Sequence, residues 1–477
     1  MSMRASLYQV NPATIGLDGK ECGLFNRLLY EWGSHLNSNL RNEAYYNFEK
    51  VVQNLERGLP EQMRGMRAVV GWPAKAVDAL AARSVFMGFT SDGSAAEDLG
   101  DVVRANDLRE LYRQAVTSQL MHSCAFFTVS KGAAGEPDVL VSPYSASNAA
   151  GVWDVRKKRI KAGIAIVDVT EDQTGNQTPS WVNMFTDETT YICRRARNGR
   201  WVVDRLENPL GRPLIEPIRY KPLLDRPFGQ SRINAAVRSI TDEAILATTN
   251  AAVASVFYTW PQRYMMGVDK KTAEAFASKK IESYIDRMLM VTANKNGDVP
   301  HYGQLPQMSM QPHSDYLQTL AKRFAGETSV PLSSLGIVFD NPSSAEAMYA
   351  AQNDLIVEAE WLNASNGQAL KNVALMALSC LRGTTIEALP KDDLTIEARF
   401  ANPVRPSMAA RADFALKVAS AVPEYPQTTQ FWRDLGYDEA EIREVMRDTR
   451  RIRAQQLAQA MAAQPQFQAL PGSGETE

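Results

Sequence analysis

The chain has 477 residues, of which 45% are apolar and 22% charged, and its formal net charge is −2. This length allows two to four folding units with a sizeable core, and the composition is ordinary for a soluble globular protein. The near-neutral charge excludes a broad surface that grips DNA phosphates. No apolar run approaches the ~20 residues of a bilayer span, and the start has no apolar signal core, so neither membrane insertion nor secretion is expected.

The amino-terminal part is predicted to be an arm followed by helices. Residues 1–23 are expected to form a flexible arm. Apolar residues recur at helical spacing from Leu24 to about Leu55. One face of these helices holds Phe25, Leu28, Leu29 and Trp32. A short helix with Pro73 in its first turn and a longer one over about Asp101–His122 are predicted next.

Residues 125–220 are predicted to be rich in strands. Asn198-Gly199 lies between two β-rich runs and is the strongest hairpin signal in the chain. The basic tetrapeptide Arg156–Arg159 falls between two such runs. We interpret it as a solvated turn, with a nucleic-acid patch as the alternative.

A long Ala-rich helix is predicted over Gln230–Thr259, with apolar residues at steps of three and four. This pattern is typical of helix-on-helix packing. A small α/β unit, about Gly267–Met310, and a second helix, about His313–Ala325, are predicted to follow.

The stretch Val330–Trp361 combines an apolar loop with the start of a long helix. Ser343 and Glu346 have capping-box spacing at the junction. The helical pattern continues to about Leu381, and Asn366-Gly367 predicts a kink within it. A buried loop before a core helix is the simpler interpretation of the periodicity.

The carboxy-terminal part is predicted to contain a strand at Leu394–Phe400, a helix at Ser407–Ala419 and a last helix that reaches about Ala463. The last helix carries Arg447, Arg450, Arg451 and Arg453. We interpret these arginines as a solvated face paired with Glu444 and Asp448, and contact with DNA or an acidic neighbour is the alternative.

Motifs of common enzymes and metal sites do not occur in the sequence. The four cysteines, Cys22, Cys124, Cys193 and Cys380, are scattered and form no CxxC pair. Walker-type, GxSxG, HExxH and GxGxxG patterns are missing. His301 and His313 are the nearest pair of histidines and give only a weak metal signal. We therefore predict no catalytic residue, no metal and no cofactor.

Two stretches resemble portal proteins of tailed bacteriophages. GIVFDNPSSAEAMYAAQNDLIVEAE, residues 336–360, is similar to the loop-to-helix junction of that family. The series from Tyr45-Tyr46 through Val70-Gly71-Trp72-Pro73 to Gly88-Phe89 is similar to the amino-terminal region of the subfamily common in siphophages of actinobacteria. The order of helix, small α/β unit, helix and loop also agrees with stem, clip, stem and tunnel loop.

The resemblance implies an α+β, mainly helical protomer with wing, stem, clip and crown regions that assembles into a ring. The implied regions are a flexible arm (1–23), a wing (24–228), a stem helix (229–260), a clip (261–311), a second stem helix (312–326), a tunnel loop (327–343), a long kinked helix returning to the wing (344–404), crown helices (405–463) and a disordered tail (464–477).

The family's role implies a ring, typically a dodecamer, at one capsid vertex of the virion, assembled in the host cytoplasm. Implied partners are the large terminase, head-completion or adaptor proteins, the major capsid and scaffolding proteins, and double-stranded DNA passing without sequence specificity. The ATPase would belong to the terminase, which agrees with the missing phosphate loop. The residues expected near the DNA channel are Lys322, Arg323, Ser333, Ser334, Leu335, Ile337, Val338 and Phe339.

Two alternatives remain open at this point. Another ring-forming or scaffold component of a virion would share oligomerisation but lack a channel of DNA size. An enzyme with the strand-rich region as its catalytic domain would have a closed pocket with perturbed titratable groups.

Overall fold

Mixed helices and antiparallel sheets make up the structure, a computed structural model that describes residues 15–49, 68–171, 177–196, 199–259, 263–266, 301–304, 309–337, 352–404, 408–437 and 439–462. The predicted α+β, mainly helical class is confirmed. The chain divides into two compact units, Met1–Pro403 and Val404–Glu477.

The first unit contains the sheets and most of the helices. In its described part the helices are α1 (Gly19–Tyr46), α2 (Trp72–Ala81), α3 (Ala95–Ala105), α4 (Leu108–His122), α5 (Ala235–Thr259), α6 (Gln311–Thr328) and α7 (Asn353–Arg382). The strands are β1 (Phe86–Thr90), β2 (Cys124–Lys131), β3 (Val139–Ser145), β4 (Ala149–Asp154), β5 (Arg159–Glu171), β6 (Gln177–Phe185), β7 (Thr189–Arg195), β8 (Trp201–Glu207), β9 (Ile215–Arg219), β10 (Arg263–Met266), β11 (His301–Gln304) and β12 (Glu397–Phe400).

Helix α1 begins earlier than the sequence pattern predicts. The Asp18 carboxylate accepts the backbone N–H of Glu21 at 2.8 Å, and the Glu21 carboxylate accepts that of Asp18 at 2.9 Å. This capping box satisfies N–H groups that a helix start leaves without partners. Ile15 and Leu17 are buried in the apolar cluster between α1 and the largest sheet. The predicted flexible arm, residues 1–23, is therefore wrong from Ile15 onward, and residues 1–14 lie outside the described part.

Two short helices replace the single helix that was predicted over Asp101–His122. Asp107, between α3 and α4, has a φ of +49°, a left-handed conformation that a continuing helix does not allow. The prediction of Pro73 in a first helical turn is confirmed at the start of α2.

The predicted strand-rich region forms two antiparallel sheets. One has the strand order β4-β5-β6-β7-β8, and the other β3-β2-β9. The predicted hairpin is confirmed, because β7 and β8 pair in register up to Arg195 opposite Trp201. Gly199 in the intervening turn has a φ of +79°, which glycine adopts without steric cost.

The first three residues of the basic tetrapeptide lie in the turn between β4 and β5, and Arg159 is the first residue of β5. The Asp154 carboxylate accepts the N–H groups of Arg156 and Lys157 at 2.9 Å each. Lys157 and Arg159 lie 3.2 and 3.5 Å from the Asp187 carboxylate. Residues 156–158 are thus an exposed turn with acidic partners, as interpreted from the sequence, whereas Arg159 is half-buried.

Helix α7 runs uninterrupted through Asn366-Gly367, where the sequence predicts a kink. Asn366 is fully buried, and its side-chain amide exchanges two hydrogen bonds of 2.8 Å with Gln119 of α4. It also donates to the Tyr112 hydroxyl at 2.8 Å. This satisfied polar pair fixes α7 against α4 inside the core. The predicted capping box of Ser343 and Glu346 lies outside the described residues.

The second unit is helical, with α8 (Met408–Ala421), α9 (Thr429–Leu435) and α10 (Glu439–Ala462). On α10, Arg447 lies 3.8 Å from Glu444 and Arg451 lies 3.5 Å from Asp448. All of the clustered arginines are exposed. The interpretation of a solvated, internally paired helix face is confirmed for these two pairs. The predicted disordered tail, 464–477, is outside the described residues.

Candidate functional site

Helices α5 and α6 pack as an antiparallel pair. The Asn234 amide, just before α5, donates to Glu327 near the end of α6 at 2.7 Å. Further along, Arg323 of α6 lies 2.8 Å from Glu243 of α5. The apolar residues of the pair that are buried in the main core are Val237, Ile240, Ala244 and Ala247 on α5 and Leu320 and Phe324 on α6. The small residues on α5 allow this close approach.

The predicted stem helix 229–260 begins later than expected, at Ala235. Its start is set by Asn234, whose side-chain oxygen accepts the N–H of Val237 at 2.9 Å. Upstream, Gly229 has a φ of +79°, and a Cβ there would lie 2.1 Å from the Tyr220 carbonyl oxygen. The chain therefore enters the helix through a tight turn that only glycine fits.

The predicted channel cations Lys322 and Arg323 lie on the exposed side of α6. The Arg323 side chain is half exposed and is partly neutralised by its ion pair with Glu243. Next to them on the buried side, the Phe324 ring lies 5.4 Å from the Trp72 ring of α2. The half-buried Trp72 thus joins α2 to α6.

The loop after α6 starts with a single tight helical turn, Leu332–Leu335. Ser333 and Ser334 are exposed on it, and Gly336 ends it with a φ of +83°. Leu335 is half-buried against the main core, so packing accounts for part of the loop's apolar character. Ile337 is also half-buried. The remaining predicted loop residues, Val338 and Phe339, lie outside the described residues.

A buried charged network joins the two sides of this loop. Arg232 has a side chain only 3% exposed and lies 2.6 Å from the Glu358 carboxylate of α7. Its guanidinium also donates to the Ala76 carbonyl at 2.8 Å, to the Tyr220 hydroxyl at 2.7 Å, and to the Thr328 carbonyl at the end of α6. Lys221 lies 2.6 Å from the same carboxylate. We call Arg232, Glu358, Lys221 and Tyr220 the stem clamp.

Glu358 is ionised within the stem clamp. Burial raises the pKa of its carboxyl, but the charge of Arg232 and hydrogen bonds from Lys221, Tyr220 and Arg232 outweigh burial and lower the pKa from its ordinary value. Burial also disfavours the charged form of Lys221, yet contact with Glu358 and Tyr220 raises its pKa. Both partners therefore stay charged near neutral pH, and their attraction offsets part of the desolvation cost.

The stem clamp was missed by sequence reasoning. Glu358 lies within the stretch that carries the family resemblance, but nothing local indicates Arg232 as its partner. Thr328 precedes the loop and Glu358 follows it, so one guanidinium fixes the chain on both sides of the segment 329–352.

Among the described residues, the candidate geometry for the enzyme alternative is a buried histidine cluster around His122. His122 contacts Glu43 through Nε2 at 2.9 Å and Ser118 through Nδ1 at 3.1 Å. It lines a cavity of about 630 Å³ between α1 and the turn that precedes α5. Glu43 also accepts a hydrogen bond from the Ser147 hydroxyl at 2.6 Å, so the cluster ties α1 to α4 and to the turn before β4.

In the described residues, no group of His, Cys, Asp and Glu forms a metal site. No helix described combines the length and hydropathy of a membrane span.

Comparison with known proteins identifies the class of this fold. The model of the family "Phage portal protein, SPP1 Gp6-like" matches residues 26–433. The chain is 28% identical to the portal protein of Mycobacterium phage D29 over 432 residues, covering 86% of this chain and 85% of that protein. It is 27% identical to the portal protein of Mycobacterium phage L5, covering 85% and 84%. A solved structure from the virion of a native gene transfer agent particle is similar at 14% identity and a TM-score of 0.44, covering 84% of this chain and 94% of that one.

The chain belongs to the SPP1 Gp6-like family of phage portal proteins. The predicted resemblance to portal proteins of actinobacteriophages is thereby confirmed. The protein is a structural component of the virion, a portal that forms a ring at the capsid vertex, and not an enzyme. The histidine cluster accordingly packs α1 against α4 and the turn before β4.

Proposed function

We propose that the ring formed by this chain is a dodecamer whose axial channel conducts double-stranded DNA during packaging and ejection. The observation that supports the proposal is the family match over residues 26–433, a range that includes the residues proposed to form the wing, stem and tunnel loop. The net charge of −2 supports passage without strong binding, because affinity for DNA grows with the number of phosphates that a protein neutralises.

The mass and shape of the purified chain test this proposal. Native mass analysis with negative-stain imaging is expected to detect a ring of about a dozen subunits, the closed symmetry that identical head-to-tail contacts produce. Its axial hole should admit duplex DNA. A closed ring too narrow for DNA would favour another ring-forming virion component, and a compact dimer would contradict the proposal.

The channel surface is proposed to consist of the exposed side of α6 and the loop after it. Lys322 and Arg323 would meet phosphates weakly, since Arg323 already has an acidic partner. Ser333 and Ser334 are exposed on a turn whose two flanks the stem clamp holds. The proposed tunnel loop is completed by Leu335, Ile337, Val338 and Phe339.

During assembly in the host cytoplasm, the portal would also contact major capsid and scaffolding proteins.

The clip, 261–311, is proposed to dock the large terminase and later the head-completion proteins. Its described strands offer a sharp test, because β10 and β11 pair antiparallel with Met266 opposite His301. Residues 267–300 can therefore be replaced by Asn-Gly, which suits a two-residue hairpin turn. The shortened chain is expected to assemble into rings but to lose nearly all capture of terminase in a pull-down. Terminase capture equal to that of the intact chain would contradict the clip assignment.

A further inference from the structure

The second unit has too little buried apolar surface to be stable alone. Among its described residues, only the side chains of Ala415 and Ile442 are buried apolar groups. All four cysteines lie in the first unit, so no disulfide strengthens the second. Units of this size with so small a core generally need association with other chains.

Helix α8 concentrates the uncovered apolar surface. Ten of its 14 residues are apolar, as the segment MAARADFALKVASA shows. Phe414 is 55% exposed and Leu416 is 65% exposed. The side of the helix opposite Ala415 is polar, because Asp413 and Lys417 form an exposed ion pair there, so the uncovered apolar surface lies on the flanks.

The two exposed side chains point in nearly opposite directions. They are two positions apart, which corresponds to about 200° around a helix of 3.6 residues per turn. Ala415, midway between them around the axis, is fully buried, and α8 packs on α9 of the same unit. Helix α8 thus has one flank covered by its own unit and two separate apolar flanks that are open.

Two opposite flanks require two neighbours. A single partner or a two-fold dimer would cover one flank and leave the other in water. In a closed ring with head-to-tail contacts, every subunit has a neighbour on each side and presents a different surface to each. We propose that the Phe414 flank of α8 contacts the Leu416 flank in the next copy of this chain, so that α8 forms part of the subunit seam. This inference rests on the proposed ring.

The seam is tested on the full chain with Phe414→Ser and Leu416→Ser. Each is expected to raise the chain concentration for half-assembly by at least about tenfold, since an apolar side chain is lost from every contact. Ile452→Ser is the matched control, because Ile452 is 50% exposed in the same unit but lies on α10. It should assemble like the natural chain. Assembly is followed by native mass analysis across a dilution series.

Mixing the two variants distinguishes the loss of a head-to-tail contact from a general loss of assembly caused by each substitution. In a mixed ring that alternates the variants, every second seam pairs an intact Phe414 flank with an intact Leu416 flank, and the other seams lose both side chains. Because losing one partner already removes the Phe414–Leu416 contact, the second loss in the same seam costs less than the first. The equimolar mixture is therefore expected to assemble at a lower concentration than either variant alone. A mixture that behaves as the average of its components would overturn the pairing.

Other results separate this inference from the proposed function. If the natural chain forms rings and both variants assemble at the same concentration as the natural chain, the proposed seam is wrong and the proposed ring is unaffected. If the variants instead melt earlier as monomers with unchanged assembly, the flanks pack within the chain, which also overturns the seam. If the natural chain forms no ring at any concentration, the proposed function and the seam fail together.

Discussion

Arg232→Met is expected to destabilise the first unit by about 3–5 kcal/mol, the usual result of removing one partner of a buried ion pair. The substitution leaves the Glu358 carboxylate, whose side chain is 12% exposed, with only Lys221 as a charged partner. It also removes the hydrogen bonds that Arg232 donates to the Ala76 and Thr328 carbonyls. The measurement is the shift of the urea midpoint, followed by tryptophan fluorescence and analysed with the natural chain's slope.

Lys221→Met is the matched control for this experiment. Lys221 contacts the same carboxylate at the same distance as Arg232, but its side chain is 50% exposed. A pair with such exposure contributes below about 1 kcal/mol. Equal midpoint shifts for Lys221→Met and Arg232→Met would contradict the claim that burial makes Arg232 the centre of the stem clamp. Arg232→Met combined with Glu358→Leu should recover part of the loss, because an apolar pair leaves no unpaired buried charge.

Replacing residues 335–339 by a Gly/Ser sequence is expected to abolish most genome packaging while leaving ring assembly intact. The replacement removes the half-buried anchor Leu335 and the apolar centre of the proposed tunnel loop. Greater backbone freedom would also increase the entropy lost on ordering the loop around DNA. The measurement is the amount of nuclease-protected DNA per head. The heads are produced by phage that lack their own portal gene and are supplied with the variant protein.

A Gly/Ser replacement of residues 133–136 is the control for the loop experiment. This segment is an exposed turn between β2 and β3, so it tests the cost of the replacement itself. Packaging should be retained. Unchanged packaging in the 335–339 variant would contradict the tunnel-loop assignment.

The sequence by itself determined the features that depend on near neighbours in the chain. Asn198-Gly199 predicted the β7–β8 hairpin because the turn conformation is set by those residues. Pro73 predicted the start of α2, and the apolar spacing of α5 predicted a helix that packs on another helix. The family, and with it the role as a portal, followed from stretches whose residues could be compared directly.

Only the tertiary structure decided which distant residues meet. The start of α1 at Gly19 depends on a capping box that the sequence pattern did not reveal, and Ile15 is buried only because a sheet from residues 149–207 lies against it. The stem clamp joins Arg232 to Glu358, which are far apart in the chain, through a contact that local propensity does not encode. The helical pattern of α8 likewise did not show that Phe414 and Leu416 are exposed, since exposure depends on which side chains the rest of the chain covers. Short-range preferences are properties of a segment, whereas burial and ion pairing are properties of the packed chain.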